Sequence, residues 1–270
     1  MGFVAKRFSF NRIPCEHYGL RIYDLDGNTN DATPFASTGE IQTDVIPSKG
    51  KTYLYGRAFE NPLEFNLVFG LEPIGLQSED HLDRYEIGAI ANWLSGVDTY
   101  KWLEIEQPDL EMIRYHCIIT ELEPIQIAWL PWAFTAKVTC DSPYGYMFPR
   151  KYNYSCNGVT DIKLISRSVI NQLYYPKISI QLNGSDTISI RNNSCNNAEL
   201  KFEGLPKAYF LTIDVDNELQ KIVSSDASYA NLYQYCNFNW FPLKKGMNNI
   251  TVTGNCILDF HCEFPVNYGG

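Results

Sequence analysis

No stretch of this sequence is apolar for long enough to span a bilayer or to form the core of a signal peptide. Gly2 is followed by Lys6 where a myristoylation signal wants Ser or Thr, so membrane insertion and lipid anchoring are not expected. No two of the eight cysteines stand in C-x-x-C spacing, which argues against a zinc site. Neither a G-x-S-x-G elbow nor an H-E-x-x-H pair occurs. Positive charge is scarce: 22 Lys and Arg face 31 Asp and Glu, a formal net charge of −9. Nucleic-acid affinity comes mostly from Lys and Arg on phosphates, so gripping DNA is a poor reading. An acidic chain can instead surround a polyanion that slides past it. Internal repeats and low-complexity tracts are also missing.

Aromatic residues are abundant, at 14% of the 270 residues with 18 Tyr and 15 Phe. With few helical patterns beside them, they favour sheet. Phe8 to Tyr23 reads as two short strands with a turn over Asn11 to Cys15. Leu63, Phe65, Leu67 and Phe69 alternate with polar neighbours as a half-buried strand. Ser78 to Ser95 reads as the one clear helix, with Ser78 as N-cap, acids in the first turn, and Leu82, Tyr85, Ile90, Trp93 and Leu94 at roughly helical spacing. Gly96 marks its stop. Strands follow around Lys101 to Glu106 and Arg114 to Leu122, and then Phe134, Ala136, Val138 and Cys140 alternate. The pattern weakens between Met147 and Tyr175, which places a domain boundary there.

The second half reads as strands only. Ile178, Ile180 and Leu182 run into Asn183-Gly184-Ser185-Asp186, a strong turn signal, and Ile188 and Ile190 return. Tyr209, Leu211, Ile213 and Val215 alternate, and Asp216-Asn217 turns into Leu219 to Val223. The last strand sets Cys256, Leu258, Phe260, Cys262 and Phe264 on one face and Asp259, His261 and Glu263 on the other. Evenly spaced strands with turns between them point to a β-sandwich.

Candidate chemistry is thin. Asp24-Leu25-Asp26-Gly27-Asn28 resembles the start of a calcium loop, but Thr29 and Phe35 stand where Gly and a bidentate Glu are needed. Gly50-Lys51-Thr52 lacks the rest of a phosphate loop. Asp259, His261 and Glu263 share a strand face, for which a solvated surface is the simpler reading than a metal site. Trp129, Trp132 and Trp240, with Tyr229, Tyr233 and Tyr235, suit either sugar stacking or core and interface packing. Sequons begin at Asn153, Asn183, Asn192 and Asn249, and the cysteines are expected as reduced, mostly buried thiols. No catalytic residue, cofactor or metal is expected. A carbohydrate-binding β-sandwich adhesion module contacting a host surface stays open as the alternative, and a tail glycosidase as a further rival without a motif.

The order of several short motifs resembles the distal tail protein (Dit) family of phages with long, non-contractile tails. Phe8-Ser9-Phe10-Asn11-Arg12-Ile13 and His17-Tyr18-Gly19-Leu20 resemble its opening. Pro62-Leu63-Glu64-Phe65, Arg84 with Trp93-Leu94, Tyr100, Leu103, Tyr115 and Asp141-Ser142-Pro143-Tyr144 continue the N-terminal pattern. Asn171, Pro176-Lys177-Ile178-Ser179-Ile180, Phe202-Glu203-Gly204-Leu205, Ile213-Asp214, Phe241-Pro242-Leu243 and Gly246-Met247-Asn248 continue the C-terminal one. Gln172 departs from the Gly expected there.

The resemblance implies a mainly β chain. Residues 1–147 would be an α+β ring-forming domain with one helix, and residues 148–270 a galectin-like antiparallel β-sandwich. It further implies a homohexameric ring in the virion tail tip, assembled in the host cytoplasm, that surrounds DNA without specific binding. The tail tube protein, a tip protein and receptor-binding proteins would be its partners. A closed ring needs a heterologous interface. The polar segment at about 24–56, rich in Gly, Thr, Asn and Ser, is long enough to be an arm that supplies it. The candidate interface residues are Asp24, Asp26, Pro34, Thr38, Val45, Pro47, Lys49, Tyr53 and Tyr55.

Overall fold

The computed structural model describes residues 6–23, 40–45, 50–58, 61–72, 81–106, 113–127 and 129–266. The chain is mainly β, as expected, and divides into two compact units: Met1–Met147 with Val266–Gly270, and Phe148–Pro265. Among the described residues there is one α-helix, and no helix is long and apolar enough to cross a membrane.

In the first unit, β1 (Arg7–Phe10), β2 (Ile13–Pro14), β3 (Leu20–Ile22), β6 (Glu64–Leu71), β7 (Lys101–Glu106), β8 (Ile113–Ile127) and β9 (Leu130–Cys140) form one antiparallel sheet. The order is β2-β1-β7-β8-β9-β6-β3, and β10 (Gly145–Met147) pairs with β8. Ile22 N–H donates to the Lys6 carbonyl at 2.9 Å, which brings the far edge strand back beside the start of β1. Two strands stand apart, β4 (Glu40–Val45) and β5 (Thr52–Ala58), which among the described residues pair with each other alone. Phe8, Phe10, Leu67, Phe69, Leu103, Ile105, Tyr115, Phe134 and Val138 fill the core. These are the alternate positions that strand geometry sends to one face.

The helix α1 (Arg84–Ser95) closes over that core through Ile90, Trp93 and Leu94. It starts later than the sequence suggests, and Ser78 does not cap it. Asp83 is the N-cap: its carboxylate accepts from Glu86 N–H at 2.7 Å, while Glu86 accepts from Asp83 N–H at 2.9 Å. This reciprocal capping box satisfies two orphan donors at once. Ser78 lies outside the described residues. Tyr85 is also not on the buried face. It sits about 140° from Ile90 around a helix of 3.6 residues per turn, and it is exposed.

In the second unit, β11 (Arg150–Cys156), β12 (Val159–Ser166), β13 (Lys177–Asn183), β14 (Thr187–Asn192), β15 (Ala198–Glu203), β16 (Tyr209–Asp216), β17 (Lys221–Ser224), β18 (Gly246–Thr253) and β19 (Cys256–Cys262) form two antiparallel sheets. Their orders are β11-β19-β13-β16-β17 and β12-β18-β14-β15. Two readings change here. The stretch where the pattern weakened holds β11 and β12. β11 is an edge strand whose inward positions, Tyr152, Tyr154 and Cys156, are not aliphatic, so no run of Val, Ile or Leu marks it. The turn at Asn183 to Asp186 does not join paired strands. β13 lies in one sheet and β14 in the other, so the turn, with Gly184 at φ +80°, carries the chain from one sheet to the other. Ile178 and Ile180 of one sheet and Ile188 and Ile190 of the other are all buried. The β16–β17 turn at Asp216-Asn217 does join paired strands, as read.

Candidate interaction surface

The pair β4–β5 is set by local chemistry. Across the ladder Thr43 is opposite Leu54, Asp44 opposite Tyr53 and Val45 opposite Thr52, a stretch in which β-branched and aromatic residues predominate. The register jumps from Gln42↔Gly56 to Thr43↔Leu54, which leaves Tyr55 as the extra residue of a bulge. A bulge bends its strand and re-aims the side chain it carries. Tyr53 is 43% exposed, and Leu54 and Tyr55 are each 69% exposed. Successive strand residues point to opposite faces, so both faces of the ribbon present apolar side chains to solvent. A lone two-stranded ribbon is marginal in water, and this one has no third strand among the described residues.

Of the nine candidate interface residues, Tyr53 and Tyr55 lie on this ribbon, and Val45 ends β4 opposite Thr52. Asp24, Asp26, Pro34, Thr38, Pro47 and Lys49 lie outside the described residues, as does the start of the calcium-loop resemblance.

The other constellations resolve into structural roles. Asp259 pairs with Lys151 at 2.9 Å and accepts from Asn153 at 2.5 Å. Burial opposes its ionisation, but the hydrogen bonds from Asn153 and Lys151 outweigh that and hold the carboxyl below the usual range. Among the described residues no three His, Cys, Asp or Glu side chains are grouped to hold a metal. Trp132 packs on Tyr23, and Tyr233 stacks on Phe238 while its hydroxyl accepts from Ile222 N–H at 3.0 Å. Trp129 and Trp132 belong to the first unit, whereas Trp240, Tyr229, Tyr233 and Tyr235 belong to the second. Asn192 is wholly buried, which removes its sequon from the surface. All eight cysteines are free, and all but Cys195 are buried.

Two surface features stand out, of which the sequence singled out only Trp129. Trp129, at the β8–β9 turn, has φ +70° and is 91% exposed. On the sheet face away from the core, Trp102 meets His116 at 4.7 Å and Tyr146 at 5.6 Å, with the Arg114 guanidinium 3.7 Å over its ring. His116 Nδ1 lies 2.6 Å from Asp141. The only sequence signal for this row is alternation at 102, 114, 116, 144 and 146, and it becomes visible only once the strand register is known.

Comparison with known proteins agrees with the architecture. Residues 3–142 match the family model described as the phage tail protein N-terminal domain, and residues 144–262 match the phage tail C-terminal domain. The SPbeta prophage-derived protein YomH of Bacillus subtilis (strain 168) is 24% identical over 275 residues, covering 94% of this chain and 95% of the relative. The crystal structure of the SPP1 Dit protein aligns with a TM-score of 0.65 at 14% identity, over 96% of this chain and 98% of that one. That protein is described as a paradigm of the hub adsorption apparatus in phages infecting Gram-positive bacteria. At this identity the likeness is one of fold. Both halves of the chain thus belong to the phage tail protein family, and together they carry the fold of a distal tail protein, a structural component of the virion.

Proposed function

We propose that six copies of this chain close into a ring at the distal end of a phage tail, joining the tail tube to the tip. Residues 1–147 form the ring, and residues 148–270 project from it as a galectin-like sandwich that carries tip or receptor-binding proteins. The assembly takes place in the host cytoplasm, and DNA passes through the ring without specific contacts. The role is structural, with no chemistry of its own.

The observation that carries this reading is the β4–β5 ribbon. It is an unsupported two-stranded sheet with Tyr53, Leu54 and Tyr55 in solvent. Such a ribbon suits docking against a neighbouring copy, either by extending its sheet edge or by laying the tyrosines on its surface. A ring is the closed form of that heterologous contact. The hub role described for the SPP1 protein supports the same placement.

Native mass spectrometry and class-averaged electron micrographs test it. The wild-type chain is expected to give hexamers and six-fold rings about a channel. Deletion of Pro34 to Gly50, which removes β4, or Tyr53→Ser combined with Tyr55→Ser, is expected to give monomers that still unfold cooperatively. Hexamers persisting in the deletion variant would sink the arm as the interface, and a monomeric wild type would sink the ring.

A further inference from the structure

In the second unit, Cys156 closes β11 and Cys256 opens β19, and the two stand directly opposite in the ladder. Asn183 N–H donates to the Asn255 carbonyl toward β13 at 3.0 Å, so Cys256 turns its own backbone groups toward β11. The two cysteines are therefore a hydrogen-bonded antiparallel pair, whose Cα atoms lie about 5.5 Å apart. That is inside the Cα range of about 4.4 to 6.8 Å found for disulfides, and the Cβ atoms, about 5.5 Å apart in such a pair, must draw in to about 4 Å, a shift taken up at the open end of β11. Both side chains point inward and are buried, and each thiol shifts the pKa of the other, as close neighbours do.

We propose that Cys156 and Cys256 are a redox-active dithiol whose oxidation staples the first strand of the C-terminal unit to its last long strand. The oxidant is a low-molecular-weight disulfide. The Cys156 thiolate attacks one sulfur of that disulfide, forming a mixed disulfide and releasing one small thiolate. The Cys256 sulfur then attacks the Cys156 sulfur and expels the second. Two protein S–H bonds are lost and one S–S bond forms. The small disulfide is reduced to two thiols, which take the two protons.

The roles follow from the site. The neighbouring Cys256 lowers the pKa of the Cys156 thiol, which favours the thiolate there. The interaction with Cys156, and then burial, push the Cys256 thiol up. Cys156 is also the better placed for attack. The next residues, Asn157 and Gly158, are exposed turn residues, so opening the strand end uncovers its sulfur without unfolding the sandwich. The loop closed by the bond is about 100 residues long and holds nearly the whole unit, the case in which a cross-link most restricts the unfolded chain.

The first unit supplies a contrast. Cys117 and Cys140 are also cross-strand partners, in β8 and β9. Both are mid-sheet and wholly buried, and burial, with Asp141 and Glu64 nearby, pushes the Cys140 thiol up to about 12. Burial disfavours a thiolate on either, and both stay reduced under the same treatment.

The full chain, purified under reductant, is exposed to glutathione disulfide, and its peptides are mapped without reduction. The expected result is a linked Cys156–Cys256 peptide in most chains and a mass about 2 Da lower. The unfolding temperature of the C-terminal unit is expected to rise on the order of 10 °C and to fall back with dithiothreitol. Cys156→Ser and Cys256→Ser lose the link and the shift, and Cys117→Ser keeps both. Complete alkylation of both thiols after oxidation overturns the proposal. So does a map showing another pairing, or a persistent glutathione adduct on Cys156. The wild-type map decides the matter independently of how the variants fold.

Discussion

The side-chain amides of Asn192 and Asn248, both wholly buried, meet at 2.9 Å and leave no polar atom of either amide without a partner. Asn192 also donates to the Pro242 carbonyl at 2.8 Å and accepts from Ser194 N–H at 3.0 Å. Asn248 accepts from Lys244 N–H and donates to the Lys244 and Gly246 carbonyls. The pair locks the turn before β18 to the end of β14. Asn248→Leu keeps the volume but takes from Asn192 one of its three bonds and leaves three backbone groups without this partner. A loss of about 3 kcal/mol or more is expected, since each buried group left unpaired costs roughly 1–3 kcal/mol. A double-mutant cycle with Asn192→Ala, read by urea unfolding, is expected to show coupling of at least about 1 kcal/mol. Additive losses would disprove the shared network.

Trp93 holds the helix to the first sheet in two separable ways. Its ring stacks on Phe8 at 5.8 Å and on Tyr18 at 4.8 Å, and its indole N–H donates to the Phe10 carbonyl at 3.1 Å. Trp93→Phe keeps most of the packing and loses the bond, for an expected cost of roughly 1–2 kcal/mol. Trp93→Ala removes both and opens a cavity, for roughly 3–5 kcal/mol. Equal losses for the two variants in chemical denaturation would contradict this division.

Glu199 predicts a pH effect. Its carboxylate accepts from the Ser189 hydroxyl at 2.5 Å and from Arg191 at 3.2 Å. The Ser189 bond lowers its pKa most; partial burial opposes this, and Arg191 adds to the lowering. A carboxyl with a depressed folded pKa stabilises the fold above its unfolded value, about 4.3, and loses that contribution as pH falls through the folded value. Glu199→Gln is therefore expected to cost about 1 kcal/mol at neutral pH. Its stability should converge on wild type as pH falls below the unfolded value and through the lower folded one. A penalty constant from neutral pH into acid would count against the assignment.

How far the sequence could be read depended on whether a feature was local. The alternation over Leu63 to Phe69, Phe134 to Cys140 and Cys256 to Phe264 marked three strands and their buried faces correctly, because a strand shows its two faces in its own residues. Gly96 marked the helix stop for the same reason. The helix start was misread because Ser78 and Asp83 are both good caps by type, and only the Glu86 contact distinguishes them. β11 was missed because its inward residues, two tyrosines and a cysteine at a sheet edge, are not aliphatic. The candidate surface was half legible. Tyr53 and Tyr55 stood out as aromatics in a polar segment, but their exposure on an unsupported ribbon is a fact of packing.

Composition, alternation and turn chemistry by themselves determined a mainly β chain, the faces of its clearest strands and the absence of familiar catalytic motifs. These are properties of neighbours in sequence, and side-chain direction repeats every two residues. Only the tertiary structure decided that β13 and β14 enter different sheets, that Cys156 faces Cys256, and that Asn192 finds Asn248. Each of these relations joins segments through strand register, and register is chosen by the burial and pairing of the whole sheet rather than by the residues of any one strand.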